Sequence, residues 1–421
     1  MIKVGLIGLG TVGSGVYKTL QNFSDIKITK IAVNDITKKR NIENFDYSLL
    51  TQNPYDIVND NEIEIIIEVM GGTEPAYELL TNAIKKKKHI VTANKELLAK
   101  KGEELFQLAR EYNVVILYEG AVAGGIPIIM PIKMSLCANK IHQIAAILNG
   151  TTNYILTKMS RENADYETVL KEAQEKGYAE FDPTGDVDGY DAQYKLATLA
   201  TISFNKRIDV NQIYREGITK ISAHDIAYAK QLGYVIKLIA LAKLNENGEA
   251  DVRVHPMLLK RSFVLANIND VTNAVMLDGH PIGRVIFSGA GAGEFPTASS
   301  VSGDVLMIAK SIAVTSTPLP MTRCTHNENA KQIKIDDTFN KYYIRILAND
   351  TPGVIGTIGN ICGEHNINIS SLIQKESRIE DAAEIVVITG ICKEADIQNA
   401  ISEMNKSTSI REVKNLIRVM E

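Results

Sequence analysis

The feature that most constrains this chain is a glycine-rich segment near its N-terminus, Gly8-Leu9-Gly10-Thr11-Val12-Gly13. It follows the apolar run Ile2–Ile7 and opens an amphipathic segment, so it predicts a strand, a tight turn and a helix. In such a unit the first glycine permits the turn and the second lets the backbone approach a pyrophosphate. The third glycine allows close packing of the helix on the strand, and the helix N-terminus faces the anion. We therefore expect Gly8, Gly10 and Gly13 to form a dinucleotide site.

The pattern of apolar segments predicts three folded parts. Strands and helices alternate over residues 1–130, which predicts a doubly wound parallel sheet of the Rossmann type. Over 131–310 the pattern changes to that of an α+β domain, expected to carry substrate groups. Residues 311–338 are rich in Thr, Pro and Asn and are interpreted as a linker. Residues 339–421 follow the order β-α-β-β-α-β, which predicts a ferredoxin-like domain.

Within the middle part we predict a second, largely antiparallel sheet. Its expected strands include Val252–Pro256, Phe263–Leu265 and Ala274–Leu277. Ser288–Thr297 is interpreted as a glycine-rich loop, followed by a helix that continues to Lys310. We expect the chain to return near 305–320 to pack on the first domain.

The composition excludes several classes of protein. The 421 residues contain 46 Lys+Arg and 50 Asp+Glu, a net charge of -4 without the basic excess of a nucleic-acid binder. The four cysteines are scattered without a CxxC pair, which argues against a zinc or disulfide scaffold and for a reducing compartment. No apolar run reaches the length of a membrane span, and no leader-like segment precedes the glycine motif. We expect a cytoplasmic protein.

The end of the second predicted strand bears on the choice of cofactor. Asp35 could accept hydrogen bonds from a ribose diol, whereas the cations Lys38, Lys39 and Arg40 would attract a 2′-phosphate. The same three cations could equally be solvated loop residues. The residues by themselves leave NAD and NADP both open.

Two strand ends carry further polar candidates. Lys95 begins a helix, where the positive end of the helix dipole disfavours a cation, so a role in binding an anion or cofactor is favoured. Glu119 precedes a turn with Gly124 and Gly125, and a carboxylate with exposed carbonyls suits a hard cation. By residues alone, a turn whose carbonyls meet water is the favoured interpretation of that segment.

The densest acidic segment, Gly177–Asp191, leads into a helix that carries Lys195. Asp188, Asp191 and Lys195 are predicted to share one helical face. Asp191 and Lys195 could form an ordinary surface ion pair. Alternatively the acidic groups bind an ammonium while Lys195 delivers a proton. Both interpretations stay open at this point.

Taken together, these motifs resemble the homoserine dehydrogenase family over essentially the whole chain. The matching segments are the glycine motif, Gly71–Ala76, Thr92–Lys95, Gly124–Pro127, Leu148–Ile155, Gly177–Glu180 and Gly289–Asp304. The resemblance implies NAD(P)H-dependent reduction of L-aspartate 4-semialdehyde to L-homoserine in threonine, isoleucine and methionine biosynthesis. We expect the monofunctional form, without a fused kinase.

The resemblance also assigns roles to residues. It implies that Lys195 is the proton donor, with Lys95 and Asp191 beside it in the catalytic set. It implies that Glu180, Asp186, Asp191 and Lys195 hold the substrate. Cofactor contacts would come from Gly8, Gly10, Thr11, Val12, Gly13, Asn34, Lys95 and Gly291. Asn34 stands where many members carry an arginine for the 2′-phosphate, although NADP remains the preferred expectation. Sodium would be held by Glu119 and the carbonyls of Val122, Gly124 and Ile126.

The C-terminal part resembles an ACT domain through Asn349–Gly356 and Asn366–Ile369. The resemblance implies an amino-acid effector, with L-threonine the natural candidate and Asp350, Gly353 and Asn366 its expected contacts. The alternative is an ACT pair that serves oligomerisation alone. A homodimer or homotetramer is expected.

Two other functions are weighed. An aspartate-semialdehyde dehydrogenase would need an activated cysteine, and Cys137 has no neighbouring signature of that kind. A nucleotide-sensing regulator without catalysis would not need Lys95, Glu180, Asp191 and Lys195 together.

Overall fold

The computed structural model describes residues 1–315, 323–379 and 382–420, and its chain forms two compact units. The first unit comprises 1–144, 194–211 and 272–330. The second comprises 145–193, 212–271 and 331–421. The sequence interpretation divided the chain into consecutive blocks, whereas each unit draws on three separate stretches.

The strands and helices are numbered along the chain. The strands are β1 (Ile2–Ile7), β2 (Ile26–Ala32), β3 (Leu50–Thr51), β4 (Ile65–Glu68), β5 (His89–Thr92), β6 (Ile116–Leu117), β7 (Lys140–Ile147), β8 (Tyr214–Arg215), β9 (Tyr234–Leu244), β10 (Ala250–Lys260), β11 (Thr272–His280), β12 (Gly283–Ala290), β13 (Phe339–Asn349), β14 (Ile369–Ile379), β15 (Ala382–Thr389), β16 (Cys392–Lys393) and β17 (Ile410–Val419). The helices are α1 (Thr11–Leu20), α2 (Tyr55–Val58), α3 (Ala76–Lys85), α4 (Lys95–Glu111), α5 (Gly150–Glu162), α6 (Tyr166–Glu175), α7 (Thr184–Val187), α8 (Tyr190–Phe204), α9 (Ala223–Gln231), α10 (Glu294–Thr315), α11 (Val354–Glu364) and α12 (Glu394–Met404).

The first unit is built on a parallel sheet in the order β3-β2-β1-β4-β5-β6. This confirms the predicted doubly wound arrangement. Ile7 on β1 pairs with Glu68 on β4, and Glu68 pairs with Thr92 on β5. The carboxyl ends of these three strands therefore lie at one edge of the sheet, where ligands bind in open parallel sheets.

Helix α10 completes the core of this sheet. It provides the return of the chain to the first domain that was expected near 305–320. Ala298, Val301 and Val305 are fully buried in one cluster with the residues of β1 and α1. Gly15 permits the contact, because a Cβ there would lie 2.6 Å from the carbonyl oxygen of Glu294. The ammonium of Lys18 lies 2.7 Å from the Glu294 carboxylate.

The limits of α10 correct two predictions. Strand β12 continues to Ala290 and α10 begins at Glu294, so the loop predicted over Ser288–Thr297 is much shorter. The helix runs on to Thr315, so the predicted linker 311–338 was wrong over 311–315. Apolar residues of α10 as far as Ile312 pack against the core, and this packing keeps the chain helical beyond residue 310. The part of that linker over 316–322 lies outside the described residues.

The second unit contains antiparallel β9 and β10, and β10 also pairs in parallel with β17 at Met257 and Leu258. Through this pairing β10 adjoins the C-terminal sheet, whose order is β17-β13-β15-β14. Helices α11 and α12 pack on one face of that sheet around a shared apolar cluster. The predicted ferredoxin-like order is confirmed.

One strand predicted in this unit was wrong. Residues 263–265 do not extend, because Val264–Asn267 forms a 3-10 turn. The side-chain amide of Asn267 donates to the carbonyls of Arg261 and Phe263, at 3.3 Å each. Such side-chain to backbone bonds compete with the ladder of a strand.

Within the ranges that the structure describes, none of the helices is both long and apolar enough to cross a membrane.

Candidate active site

The glycine loop has the geometry of a nucleotide-binding turn. Gly8 has a φ of +102°, and a Cβ on Gly13 would lie 2.1 Å from the carbonyl oxygen of Gly8. Gly10 precedes α1, whose N-terminus has no side-chain cap and no acidic residue in its first turn. A Cβ on Gly10 would meet no atom within 4 Å. The amides at Thr11, Val12 and Gly13 therefore begin an uncapped helix beside open space, which fits a pyrophosphate.

The end of β2 brings one of the three predicted cations to this loop. The Arg40 guanidinium donates to the carbonyl of Leu9 at 3.5 Å and to that of Asp35 at 2.5 Å. The Asp35 carboxylate accepts from the amide and hydroxyl of Thr37, and these bonds lower its pKa. Asn34 is exposed at the same strand end. Arg40 thus lies between the glycine loop and the end of β2, where an adenosine ribose binds in folds of this type.

A buried carboxylate organises the next strand end. The Glu68 side chain is fully buried and accepts from the hydroxyl of Thr92 at 2.6 Å and the amide of Met70 at 2.9 Å. The side-chain nitrogen of Asn94 reaches the carbonyl of Gly72 at 2.7 Å and Glu68 at 3.4 Å. Burial raises the pKa of Glu68, against the lowering effect of these bonds.

Asn94 also fixes the start of α4, and with it the position of Lys95. The side-chain oxygen of Asn94 accepts from the amide of Leu97 at 3.1 Å, which makes it the N-cap. Lys95 is the first residue of the helix. The predicted strand end and helix start are both confirmed, whereas a role for Lys95 stays a prediction.

The turn after Glu119 has two consecutive left-handed residues, Ala123 and Gly124, with φ values of 56° and 54°. The buried Glu119 carboxylate accepts from the amides of Ile128, Ile129 and Met130, at 2.5, 2.7 and 2.8 Å. These bonds give Glu119 a structural role at the start of a helical turn. They occupy both lone pairs of one carboxylate oxygen and one lone pair of the other, so a single lone pair of Glu119 remains for a hard cation.

The carbonyls of this turn are partly engaged as well. The Ser300 hydroxyl donates to the carbonyl of Gly124 at 2.7 Å. Across 1–315, 323–379 and 382–420 there is no group of three or more His, Cys, Asp or Glu side chains that could hold a metal. A cation here would therefore depend on Glu119 and on backbone oxygens such as those of Val122, Gly124 and Ile126.

Gly291 lies against a buried amide that sequence reasoning did not single out. A Cβ on Gly291 would lie 2.0 Å from the side-chain nitrogen of Asn273. Asn273 is 1% exposed, and neither polar atom of its side chain has a hydrogen-bond partner in the described part of the chain. A buried amide without partners is what the polar atom of a bound group would satisfy.

The acidic segment of the second unit is organised by Asn149, which follows β7 and caps α5. Its side-chain nitrogen donates to Asp186 at 2.7 Å and to Asp191 at 3.0 Å. Its oxygen accepts from the amide of Thr152 at 2.8 Å. The structure thus brings Asp186 and Asp191 together. Glu180 is exposed, and its carbonyl accepts from Gln174 at 3.1 Å.

The predicted helical face of Asp188, Asp191 and Lys195 needs a correction. Asp188 ends α7, and Gly189 with a φ of +85° separates it from α8, which begins at Tyr190. Asp191 and Lys195 do lie one turn apart on α8. Both are buried, at 9% and 7% exposure, so a solvated surface ion pair is excluded.

The expected effector residues occupy the two ends of α11. Gly353 is its N-cap with a φ of +96°, and Asp350 lies just before it. Asn366, with a φ of 57°, follows the other end. Eleven helical residues span roughly 16 Å, so one chain does not bring Asp350 and Asn366 together.

Fold and site define a nicotinamide-nucleotide-dependent oxidoreductase with a C-terminal ACT domain. Residues 8–119 match the model "Homoserine dehydrogenase, NAD binding domain", 127–306 match "Homoserine dehydrogenase", and 342–407 match "ACT domain". The homoserine dehydrogenase of Synechocystis is 44% identical over 432 residues, which cover 100% of this chain and 99% of that protein.

Solved structures agree. A homoserine dehydrogenase from Thiobacillus denitrificans superposes with a TM-score of 0.93 at 37% identity, covering 100% of this chain and 98% of that one. A hyperthermophilic archaeal homoserine dehydrogenase in complex with NADPH gives a TM-score of 0.62 at 27% identity, covering 72% of this chain and 96% of that one. The chain belongs to the homoserine dehydrogenase family.

Sequence reasoning assigned no role to Glu68, Asn94, Asn149 or Asn273. An asparagine immediately before a helical pattern is a cap signal, so the capping role of Asn94 and Asn149 could have been predicted. Their contacts to carboxylates join residues distant along the chain and have no local signal.

Proposed function

We propose that the chain reduces L-aspartate 4-semialdehyde to L-homoserine with Lys195 as the proton donor. The observation that carries this is the burial of Lys195 one helical turn from Asp191, whose carboxylate is held by Asn149. The nicotinamide, when bound, supplies the hydride that the aldehyde carbon receives. The oxygen of the aldehyde becomes an alkoxide, and the Lys195 ammonium stabilises it and transfers a proton to it.

The substrate's amino-acid end is proposed to bind the acidic segment. An ammonium group needs oxygen acceptors, and Asp186 and Asp191 present two carboxylates held by one amide. Glu180 contributes a further carboxylate, and its exposure leaves it available to a ligand. Lys95 at the start of α4 is proposed to meet an anionic group of substrate or cofactor.

The test of this assignment is Lys195→Ala, with Lys171→Ala on the exposed face of α6 as a matched control. We expect kcat for aldehyde reduction to fall by about 10²- to 10⁴-fold in the first variant, the usual contribution of general acid catalysis. The control should keep its rate. A Lys195→Ala enzyme with nearly unchanged kcat would refute the assignment and favour a different proton donor.

NADP is the proposed cofactor. The support is the Arg40 guanidinium, which lies against both Leu9 and Asp35 and can pair with a 2′-phosphate. Arg40 would make the charged contact to the 2′-phosphate that the neutral side chain of Asn34 cannot make. The related archaeal enzyme is described with NADPH.

A sodium ion is proposed to bind the Glu119 turn. The left-handed pair Ala123 and Gly124 gives the turn a shape that can direct carbonyls to one point. The ion would order the turn and take no part in hydride transfer. We expect a higher melting temperature in NaCl than in choline chloride at equal ionic strength, with the difference lost in Glu119→Gln.

Feedback by L-threonine through the ACT domain is also proposed. The support is the connection of this domain to the rest of the second unit. Arg345 on β13 bonds Asp225 at the start of α9 at 2.7 Å, and β17 pairs with β10. Burial raises the pKa of Asp225, but the bond and charge of Arg345, together with the bonds from Asn415 and Ser222, outweigh it and lower the pKa.

Because Asp350 and Asn366 lie at opposite ends of α11, an effector contacting both requires two copies of the chain. We therefore propose a homodimer or homotetramer. Threonine titration of activity, together with light scattering for mass, tests both statements. Unchanged rates up to high millimolar threonine would leave the ACT domain a role in assembly alone.

A further inference from the structure

The side chain of Asn149 uses all of its hydrogen-bonding capacity. Asn149 is 5% exposed, and its oxygen accepts from both the amide and the hydroxyl of Thr152, at 2.8 and 2.9 Å. Its nitrogen carries two hydrogens, and it donates to Asp186 and to Asp191. One face of the amide therefore caps α5, while the other holds two carboxylates.

The donated bonds from Asn149 offset the repulsion between the two carboxylates. Both bonded oxygens lie within 3.0 Å of the same nitrogen, so they are at most about 6 Å apart. Like charges at this separation repel each other. No single helix sets their spacing, because Asp186 belongs to α7, Asp191 to α8, and the left-handed Gly189 lies between them.

Capping alone does not explain an asparagine at this position. Serine, threonine and aspartate cap helices about as well, since each offers the oxygen that accepts from the backbone amide. Asparagine is the N-cap type that adds two N–H donors to that oxygen. The second function of the side chain is therefore separable from the first by substitution.

We propose that Asn149 is a positioning residue for the amino-acid substrate. It holds Asp186 and Asp191 at a fixed spacing, so that the ammonium of homoserine or of aspartate semialdehyde meets a preformed pair of carboxylates. The inference rests on the proposed assignment of these two aspartates to the substrate. Asn149 acts through them and touches neither the hydride nor the transferred proton.

The variant Asn149→Ser keeps an oxygen for the cap and removes both donors. With saturating cofactor, we expect the KM for L-homoserine to rise by about tenfold to a hundredfold, as expected for lost bonds to charged groups. We expect kcat to fall by a smaller factor than KM rises, because Lys195 and the cofactor-binding residues are not substituted. A merely structural defect would lower kcat or the amount of folded enzyme instead.

The matched control is Asp165→Ser, which makes a cap substitution at α6 in the same unit. Asp165 accepts from the amide of Thr168 at 3.0 Å and caps the helix. This variant should leave the KM for homoserine unchanged. If Asn149→Ser does not fold, Asn149→Thr decides the question, because it keeps a capping oxygen and lacks both N–H donors without adding a charge beside the two aspartates.

Asp191→Asn separates failure of this inference from failure of the proposed function. If Asp191→Asn raises the KM for homoserine and the folded Asn149 variant does not, the positioning role is overturned. If Asp191→Asn itself leaves that KM unchanged, the assignment of the acidic segment to the substrate fails first. A raised KM in both variants, with the control unchanged, supports the inference.

Discussion

Helices α4 in the first unit and α5 in the second begin with the same arrangement. Each has an asparagine N-cap that is 5% exposed, Asn94 and Asn149, whose oxygen accepts from the amide three residues ahead. In each the side-chain nitrogen turns back to a carboxylate on another segment. The partners differ: Asn94 reaches a fully buried Glu68 and a backbone carbonyl, whereas Asn149 reaches two aspartates that are less deeply buried.

This difference distinguishes a structural role for the Asn94 amide from the proposed binding role of the site around the Asn149 amide. The Glu68 oxygens are occupied by Thr92, Met70 and Asn94, so the hydrogen bonds of this side chain stabilise a loop junction inside the protein. Asp186 and Asp191 both accept from the Asn149 amide, and they are the carboxylates proposed to bind the substrate ammonium. The same arrangement thus fixes a strand edge in one unit and, under the proposed assignment, prepares a ligand site in the other.

The largest effect on stability is expected from Asn94→Ala, which tests the structural half of this comparison. The substitution removes a helix cap and a donor to a buried carboxylate, so we expect the free energy of unfolding to fall by about 2–3 kcal/mol. Urea denaturation followed by circular dichroism measures this loss. Asn94→Ser should recover about 1 kcal/mol, because the cap returns. An unchanged urea midpoint in Asn94→Ala would show that this cap does not stabilise the folded protein.

A smaller effect tests whether the first unit discriminates cofactors and the second discriminates amino acids. In Arg40→Met we expect the KM for NADPH to rise by about tenfold, since a charge-assisted contact to the 2′-phosphate is lost. The KM for NADH and for homoserine should stay as they are, and steady-state rates at 340 nm measure all three. Lys38→Met is the control. An equal loss with both cofactors would place Arg40 in the structure of the loop.

The smallest effect concerns the pH dependence of stability at Glu68. Because its folded-state pKa is raised, the protonated form is favoured in the folded protein, and this stabilisation is lost as pH rises through the folded pKa. Glu68→Gln loses one hydrogen bond but does not ionise. Relative to the wild type, we expect it to be about 1 kcal/mol less stable near pH 5 and closer to equal at pH 8.

Urea denaturation of both proteins across this pH range provides the measurement. A stability difference that does not vary with pH would mean that the Glu68 carboxyl titrates alike in the folded and unfolded chain.

The sequence predicted those features that have local signals. The parallel sheet followed from the apolar runs between Ile2 and Thr92, and the ferredoxin-like C-terminal domain from one β-α-β-β-α-β order. The site was less predictable, because its contacts join distant segments. Asn149 and Asp186 are 37 residues apart, and Glu68 and Thr92 are 24 apart. Neither spacing has a periodicity that sequence reasoning can detect.

Predictions from local residue spacing were also wrong at two places where tertiary packing determines the backbone path. The glycines around Gly291 suggested a long loop, yet Gly291 follows strand β12 and packs closely on Asn273. Asp188 was assigned to the face of α8 by its spacing, whereas the left-handed Gly189 starts a new helix after it. In both cases a glycine changes the backbone direction, which residue spacing alone does not show.

The packing of α10 has a consequence for how the protein is made. Val301, Val305 and Ile308 belong to the same core as Val4 and Val16 at the beginning of the chain. A ribosome therefore releases the nucleotide-binding sheet, whose last strand ends at Leu117, long before α10, which begins at Glu294. Until then the apolar face of α1 is open to solvent, and such exposed surface makes a nascent chain prone to aggregation. The long separation along the chain also slows closure of this core. Early translation is thus the stage at which this enzyme depends most on being kept from misassociation.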